Sequence, residues 1–190
     1  MKLILRLAFV LVLVSSLSAV AQVAEFGVHG GGSLLSNNDL ITDAKLTNGF
    51  RLGFSMTFNN SGHMGHEFGY AYNRTQLNYS GADYSTAIHQ GFYDFLLYAT
   101  PEGSKIRPFV AGGGQFNNYM FPGYSVTSGG GGSTKFGFNY GAGIKVRVSP
   151  MFLIRADVRQ YLTPKPDFFT EAPSGWLRQV QVSMGFSFTM

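Results

Sequence analysis

The last eleven residues constrain this chain more than any other stretch. Val180, Val182, Met184, Phe186, Phe188 and Met190 alternate with Gln181, Ser183, Gly185, Ser187 and Thr189. Period-two alternation belongs to a strand with one apolar and one polar face. At about 3.3 Å per residue such a strand spans roughly 36 Å, or about 25 Å along a bilayer normal when tilted by 45°. That is the height of the apolar band on a membrane-spanning β-barrel.

The pattern recurs along the chain. Phe50, Leu52, Phe54, Met56 and Phe58 alternate with Arg51, Gly53, Ser55 and Thr57. Met64, Phe68, Tyr70 and Tyr72 alternate with Gly65, Glu67, Gly69, Ala71 and Asn73. Phe136 to Val148 and Phe152 to Arg159 behave in the same way. A weaker strand pairs Ala24, Phe26 and Val28 with Glu25, Gly27 and His29. Two more run near Ala87 to Ala99 and Ile106 to Tyr119, where Asp94 and Arg107 each share a face with an aromatic residue. Eight strands follow, and the fold class is all-β: an antiparallel up-and-down barrel.

Volume decides which face points outward. A soluble ligand-binding barrel would also alternate, with its apolar face inside. The interior of an eight-stranded barrel is only just wide enough for side chains to fill it. Here the apolar face carries Phe, Tyr, Ile and Met, while the polar face is largely Gly, Ser and Ala. Packing the bulky face inward would overfill the bore and leave a surface of glycine and serine. Composition agrees with the lipid-facing alternative: 13% of residues are charged and 15% aromatic, with 25 glycines and 18 phenylalanines. Closure is also required, because lipid cannot pair a free sheet edge. There are no cysteines, so disulfide scaffolds and thiolate metal sites are excluded.

Residues 1–21 read as a signal peptide. Lys2 and Arg6 form a basic start, Leu7 to Val14 an apolar run, and Ala19-Val20-Ala21 a small-residue cleavage site. The run is too short for a helical membrane anchor, which needs about 20 apolar residues. Cleavage leaves residues 22–190 as the barrel domain, with 12 basic and 10 acidic residues. No basic cluster suggests nucleic acid.

Short turns at Asn59 to Gly62, Pro101 to Lys105 and Ser149-Pro150 alternate with longer segments at Ser33 to Leu46, Gln76 to Thr86, Phe121 to Thr134 and Thr163 to Gly175. Short periplasmic turns and long extracellular loops produce this alternation in outer-membrane barrels. Tyr79, Tyr84, Tyr119, Tyr161 and Trp176 lie near strand ends on the long-loop side, where an interfacial aromatic girdle belongs.

These segments resemble the eight-stranded outer-membrane β-barrel family, which includes opacity-type proteins and the transmembrane domain of outer membrane protein A, and is often labelled porin-like. The resemblance covers nearly all of Gln22 to Met190. It is carried by Leu177 to Met190, by His63 to Tyr72 with Glu67, and by Arg107-Pro108-Phe109-Val110-Ala111-Gly112. Ser183, Gly185, Phe188 and Met190 fit the family's C-terminal insertion signal, with Met190 where Phe is commoner. The resemblance implies localisation in a Gram-negative-type outer membrane. Its implied partners are membrane lipid and lipopolysaccharide, the barrel-assembly machinery acting through the C-terminal strand, and extracellular protein or glycan met by the loops. No further domain is expected after the last strand. The family hosts adhesins, structural barrels, small pores and a few enzymes, so fold alone leaves function open.

Parity places Glu25, Arg51, Glu67, Lys145, Arg147, Arg155, Asp157 and Arg159 in the lumen, with Asp94 and Arg107 beside them. Six basic against four acidic groups predict a paired network that plugs the bore; the competing reading is an anion-selective filter. Other chemistry finds little support. His63 and His66 lie three apart on a strand and point to opposite faces, while His63 and Glu67 share a face about 13 Å apart, too far for one metal ion. His29 and His89 could serve as bases in a lipid A-modifying enzyme, but no serine stands beside them as nucleophile. Gly129 to Gly132 precedes Ser133-Thr134-Lys135 in the wrong order for a phosphate loop. Gly30 to Gly32 and Gly112 to Gly114 suggest bends or close packing in the wall. No cofactor is expected. The leading reading is a non-enzymatic barrel with a structural or surface-interaction role, exposing loop aromatics at Tyr119, Phe121, Tyr124, Phe168 and Phe169. A narrow ion-conducting channel comes second.

Overall fold

The computed structural model describes residues 23–36, 38–60, 62–120, 132–167 and 175–190. Among them the strands are β1 (Val23–Ser36), β2 (Asp39–Ile41), β3 (Ala44–Leu46), β4 (Gly49–Asn59), β5 (Met64–Tyr79), β6 (Ala82–Tyr98), β7 (Ile106–Met120), β8 (Ser133–Arg147), β9 (Phe152–Pro164) and β10 (Trp176–Thr189). The expected signal peptide, and the loop residues Phe121, Tyr124, Phe168 and Phe169, lie outside the described residues.

Eight strands close a cylinder in the order β1-β4-β5-β6-β7-β8-β9-β10, all antiparallel. Closure comes from β1, which pairs with β10 from Glu25↔Thr189 to Ser36↔Arg178 and with β4 from Val23↔Asn59 to Ser33↔Gly49. The described wall therefore has no free edge between its eight strands, as a hydrocarbon surrounding demands. No helix among the described residues is long and apolar enough to cross a membrane.

The outer surface is a belt of exposed Phe, Leu, Val, Ile, Met and Tyr; Leu52, Phe68, Val110, Val158, Val182 and Met184 are each about half exposed or more. Sequence neighbours such as Arg51, Glu67, Phe109, Arg159, Gln181 and Ser183 are buried inside, so a period-two pattern becomes a two-sided wall.

Three expectations need correction. The segment Gln76 to Thr86 is not a long loop: β5 and β6 run on as a hairpin to a two-residue turn at Ser80 and Gly81. Both turn residues have positive φ (50° and 81°), the geometry that matches the twist of paired strands. The described residues of the segment Ser33 to Leu46 form the end of β1 and the β2–β3 hairpin, and β3 extends the wall by pairing with β5 (Leu46↔Leu77). Finally, large apolar residues do point inward on several strands. Phe92, Leu96 and Tyr98 on β6, Phe109 on β7 and Leu153 on β9 are all buried; Phe92, Phe109 and Tyr98 lie against arginine guanidiniums of the lumen.

Tyr119 and Tyr161 are likewise inside, both fully buried, and do not belong to an outer girdle. Tyr79 packs against an interior apolar cluster. Tyr84 and Trp176 are exposed at the long-loop end, each 46% accessible.

Candidate functional site: the closed lumen

The bore is filled in layers. At the short-turn end Glu102 binds both Arg107 and Arg147, the latter at 2.8 Å. Arg147 is partly exposed and stands at the mouth, outside the bore in which strand parity placed it. Glu102 sits in a turn, where parity offers no guide to its direction, so only the folded chain brings it to the two arginines. With Glu102 and Arg147 at the mouth both counted, the lumen and its mouth hold five acidic against six basic groups.

One step inward, Glu25 accepts from Lys145 Nζ at 2.5 Å and from Asn59 Nδ2 at 2.6 Å, with Arg107 at 3.9 Å. Lys145 Nζ also donates to the Tyr98 hydroxyl at 3.0 Å. The Arg107 guanidinium lies 3.7 Å from the Tyr98 ring centroid. Such contact stabilises a cation that has left water and accounts for an inward tyrosine.

The central layer is built around Glu67 of β5, which is fully buried. Its Oε1 accepts from Arg159 Nη2 at 2.6 Å and Arg155 Nη2 at 3.1 Å, and its Oε2 from Arg155 Nη1 and from Thr57 Oγ1 at 2.8 Å. Strands β5 and β9 are four apart in the closed order of eight, so these bonds cross the whole bore. Arg159 also binds Asp94, whose other oxygen accepts from Asn139 at 2.7 Å. Asp157 accepts from Arg155 Nε at 2.7 Å and from Ser183 Oγ at 3.0 Å. Phe109 and Phe92 lie beside the Arg155 and Arg159 guanidiniums at 4.9 and 5.3 Å.

Above the charges lies a layer of amides and hydroxyls. Gln90 donates to Gln115 and Asn117, both at 3.1 Å, and receives Gln181 Nε2 at 3.1 Å from the opposite wall. Gln179 donates to Ser33 Oγ at 2.6 Å, and Gln115 donates to Thr163 Oγ1 at 2.8 Å. The signal for this layer is present in the alternation as uncharged inward positions. It is quieter than the charges because an amide fits either environment.

At the long-loop end the lumen stops in an apolar cluster. Leu35, Leu77, Ile88, Tyr119 and Leu177 from the wall meet Leu40, Ala44 and Leu46 from β2 and β3. The first connection thus folds back as a cap, an arrangement that depends on contacts between residues far apart in sequence.

The remaining candidates separate. His63 is exposed in a bend before β5 and does not share an inner face with Glu67. His66 faces outward, its Nδ1 at 2.7 Å from the Tyr93 hydroxyl. His89 faces outward and bonds the Tyr70 hydroxyl. His29 lies buried in the lumen. No group of three or more His, Asp or Glu that could hold a metal ion occurs among the described residues. Ser183, Gly185 and Phe188 lie on β10 and Met190 just beyond it; Ser183 faces the lumen and Phe188 the outer surface. A Cβ on Gly185 would stand 2.2 Å from the Val28 carbonyl oxygen, so the close β1–β10 seam requires glycine there.

A closed eight-stranded cylinder, greasy outside and ionic within, defines a transmembrane β-barrel of the outer-membrane type. The chain belongs to the outer membrane protein beta-barrel domain family, whose sequence profile matches residues 7–188. Its localisation is the outer membrane. Solved structures share the fold at low identity. Neisserial surface protein A is 14% identical, covering 89% of this chain and 96% of its own, with a TM-score of 0.61. Ail, the attachment invasion locus protein of Yersinia pestis, solved with the heparin analogue sucrose octasulfate, is 13% identical over 89% and 99%, with a TM-score of 0.58. OprG from Pseudomonas aeruginosa is 12% identical over 90% and 98%, also with a TM-score of 0.58. No curated protein sequence matches the chain.

Proposed function

We propose that this protein is a non-conducting, non-enzymatic barrel that anchors a structural or surface-interaction role in the outer membrane. The carrying observation is the set of bonds from Glu67 to Arg155 and Arg159 across the full diameter of the bore. Below it stand the Glu25 and Glu102 ion pairs and above it the amide layer and the apolar cap, so a solute would have to break several layers in turn. Unpaired buried charges are costly, and mutual pairing is the arrangement that offsets their desolvation.

In this reading the short turns face the periplasm and the long-loop end faces outward, presenting the β2–β3 hairpin, the β5–β6 turn and two further connections to extracellular protein or glycan. Ail, a neighbour of the same architecture, was solved in complex with the heparin analogue sucrose octasulfate, which supports a surface-interaction role. Lipopolysaccharide is the proposed lipid neighbour of the aromatic belt. The C-terminal strand, with Ser183, Gly185, Phe188 and Met190, is the proposed handle for the barrel-assembly machinery.

Planar bilayer recording tests the reading. Purified protein should give no steady conductance and no sugar permeability in liposomes. Stable unitary currents with anion preference would instead support the channel reading, which draws on the one-charge basic excess of the lumen and its mouth taken together.

A further inference from the structure

One lumen cation stands outside the network. Arg51 of β4 is 2% exposed, yet it makes no ion pair among the described residues, and its Nε and Nη2 have no hydrogen-bonding partner in the protein. Each nearby carboxylate is already engaged: Glu67 by Arg155, Arg159 and Thr57, Asp94 by Arg159 and Asn139, Asp157 by Arg155 and Ser183. A guanidinium cannot shed its proton to escape the cost of burial.

Two further buried polar groups beside it share the condition. Tyr161 is fully buried, its hydroxyl has no partner in the protein, and its ring centroid is 5.8 Å from the Arg51 Cζ. His29 pairs with Gly53, two residues from Arg51 on the same inward face, and its Nδ1 is also without a partner. Phe92 stands 5.7 Å from the guanidinium on another side. The inward neighbours Gly31, Gly53 and Ala71 carry almost no side chain and offer the cation no polar partner. Rings lie beside the cation while its Nε–H and Nη2–H groups meet no acceptor in the protein.

We propose that Arg51, Tyr161 and His29 form a binding site for a single small inorganic anion of halide size, held inside the closed bore. The Arg51 Nε–H and Nη2–H and the Tyr161 O–H donate to it, joined by His29 when its Nδ1 carries the proton. An anion here supplies the countercharge that the saturated carboxylates cannot. A larger oxyanion is disfavoured, because the ion-pair layer on one side and the amide layer on the other close the space around the site.

The test uses protein refolded from urea into detergent in bromide. Crystals should give an anomalous peak within hydrogen-bonding distance of the Arg51 Nε and Nη2 atoms. In solution, the folding equilibrium constant at fixed ionic strength should rise about tenfold for each tenfold increase of chloride over gluconate above the dissociation constant. Arg51→Gln should flatten that dependence while keeping the heat-modifiable electrophoretic shift of a folded barrel. If Arg51→Gln does not fold, Tyr161→Phe, which removes one donor, should weaken the chloride dependence. A map with water alone at Arg51, or with its side chain turned onto a carboxylate, would overturn the proposal. So would equal chloride dependence in the wild type and both variants.

Discussion

Replacing Glu67 by glutamine probes the centre of the lumen with almost no change in volume. The carboxylate holds two guanidiniums and one hydroxyl. Removing one partner of a buried ion pair costs about 3–5 kcal/mol, because the charge left behind stays desolvated. Here the loss is shared: Arg155 keeps Asp157, Arg159 keeps Asp94, and the new amide oxygen still accepts one bond. The central layer nevertheless goes from three carboxylates against Arg51, Arg155 and Arg159 to two. We therefore expect Glu67→Gln to destabilise the barrel by about 3 kcal/mol, the lower end of that range. Urea unfolding in lipid vesicles can be followed by the emission of Trp176, the single tryptophan. Adding Arg155→Met should recover part of the loss, with a coupling of about 0.5–3 kcal/mol. A loss under about 1 kcal/mol, or one matched by Thr57→Val, would refute the view that Glu67 organises the bore, since ordinary substitutions centre near that value.

Other consequences are more local. Gly113→Ala would put a Cβ 1.9 Å from the Tyr93 carbonyl oxygen, so strands β6 and β7 must separate; a loss of about 1–3 kcal/mol should appear as a reduced folded fraction on unheated gels. Leu46→Ala removes a fully buried side chain from the apolar cap and should cost about 2–5 kcal/mol, read by the same urea titration. Val182→Arg places a charge on the lipid face midway along β10; about 2–4 kcal/mol should be lost in vesicles, and a smaller effect would place this face away from the bilayer centre.

The barrel was legible in the sequence because a strand has only two faces. Once volume assigns the bulky face to lipid, parity sends Glu25, Arg51, Glu67, Lys145, Arg147, Arg155, Asp157 and Arg159 inward; all but Arg147, which is partly exposed at the mouth, are buried, as are Asp94 and Arg107. Parity fails where no strand supplies it: Glu102 lies in a turn and His63 in a bend. The bulk rule fails on β6 and β7, because Phe92, Tyr98 and Phe109 lie against cations and are not simply surplus volume in the bore.

What the chain determines by itself is the alternation, hence the strands, the lipid-facing belt and the set of charges that must share one interior. Those follow from local geometry, since neighbouring residues in a strand point opposite ways. Which charge meets which is decided only when the sheet closes. The partners of Glu67 lie 88 and 92 residues away, and closure and register alone bring β5 opposite β9. The cap of Leu40, Ala44 and Leu46 and the isolation of Arg51 arise at the same level. Each depends on which side chains from distant strands arrive at one height in the bore, and period-two spacing carries no information about height.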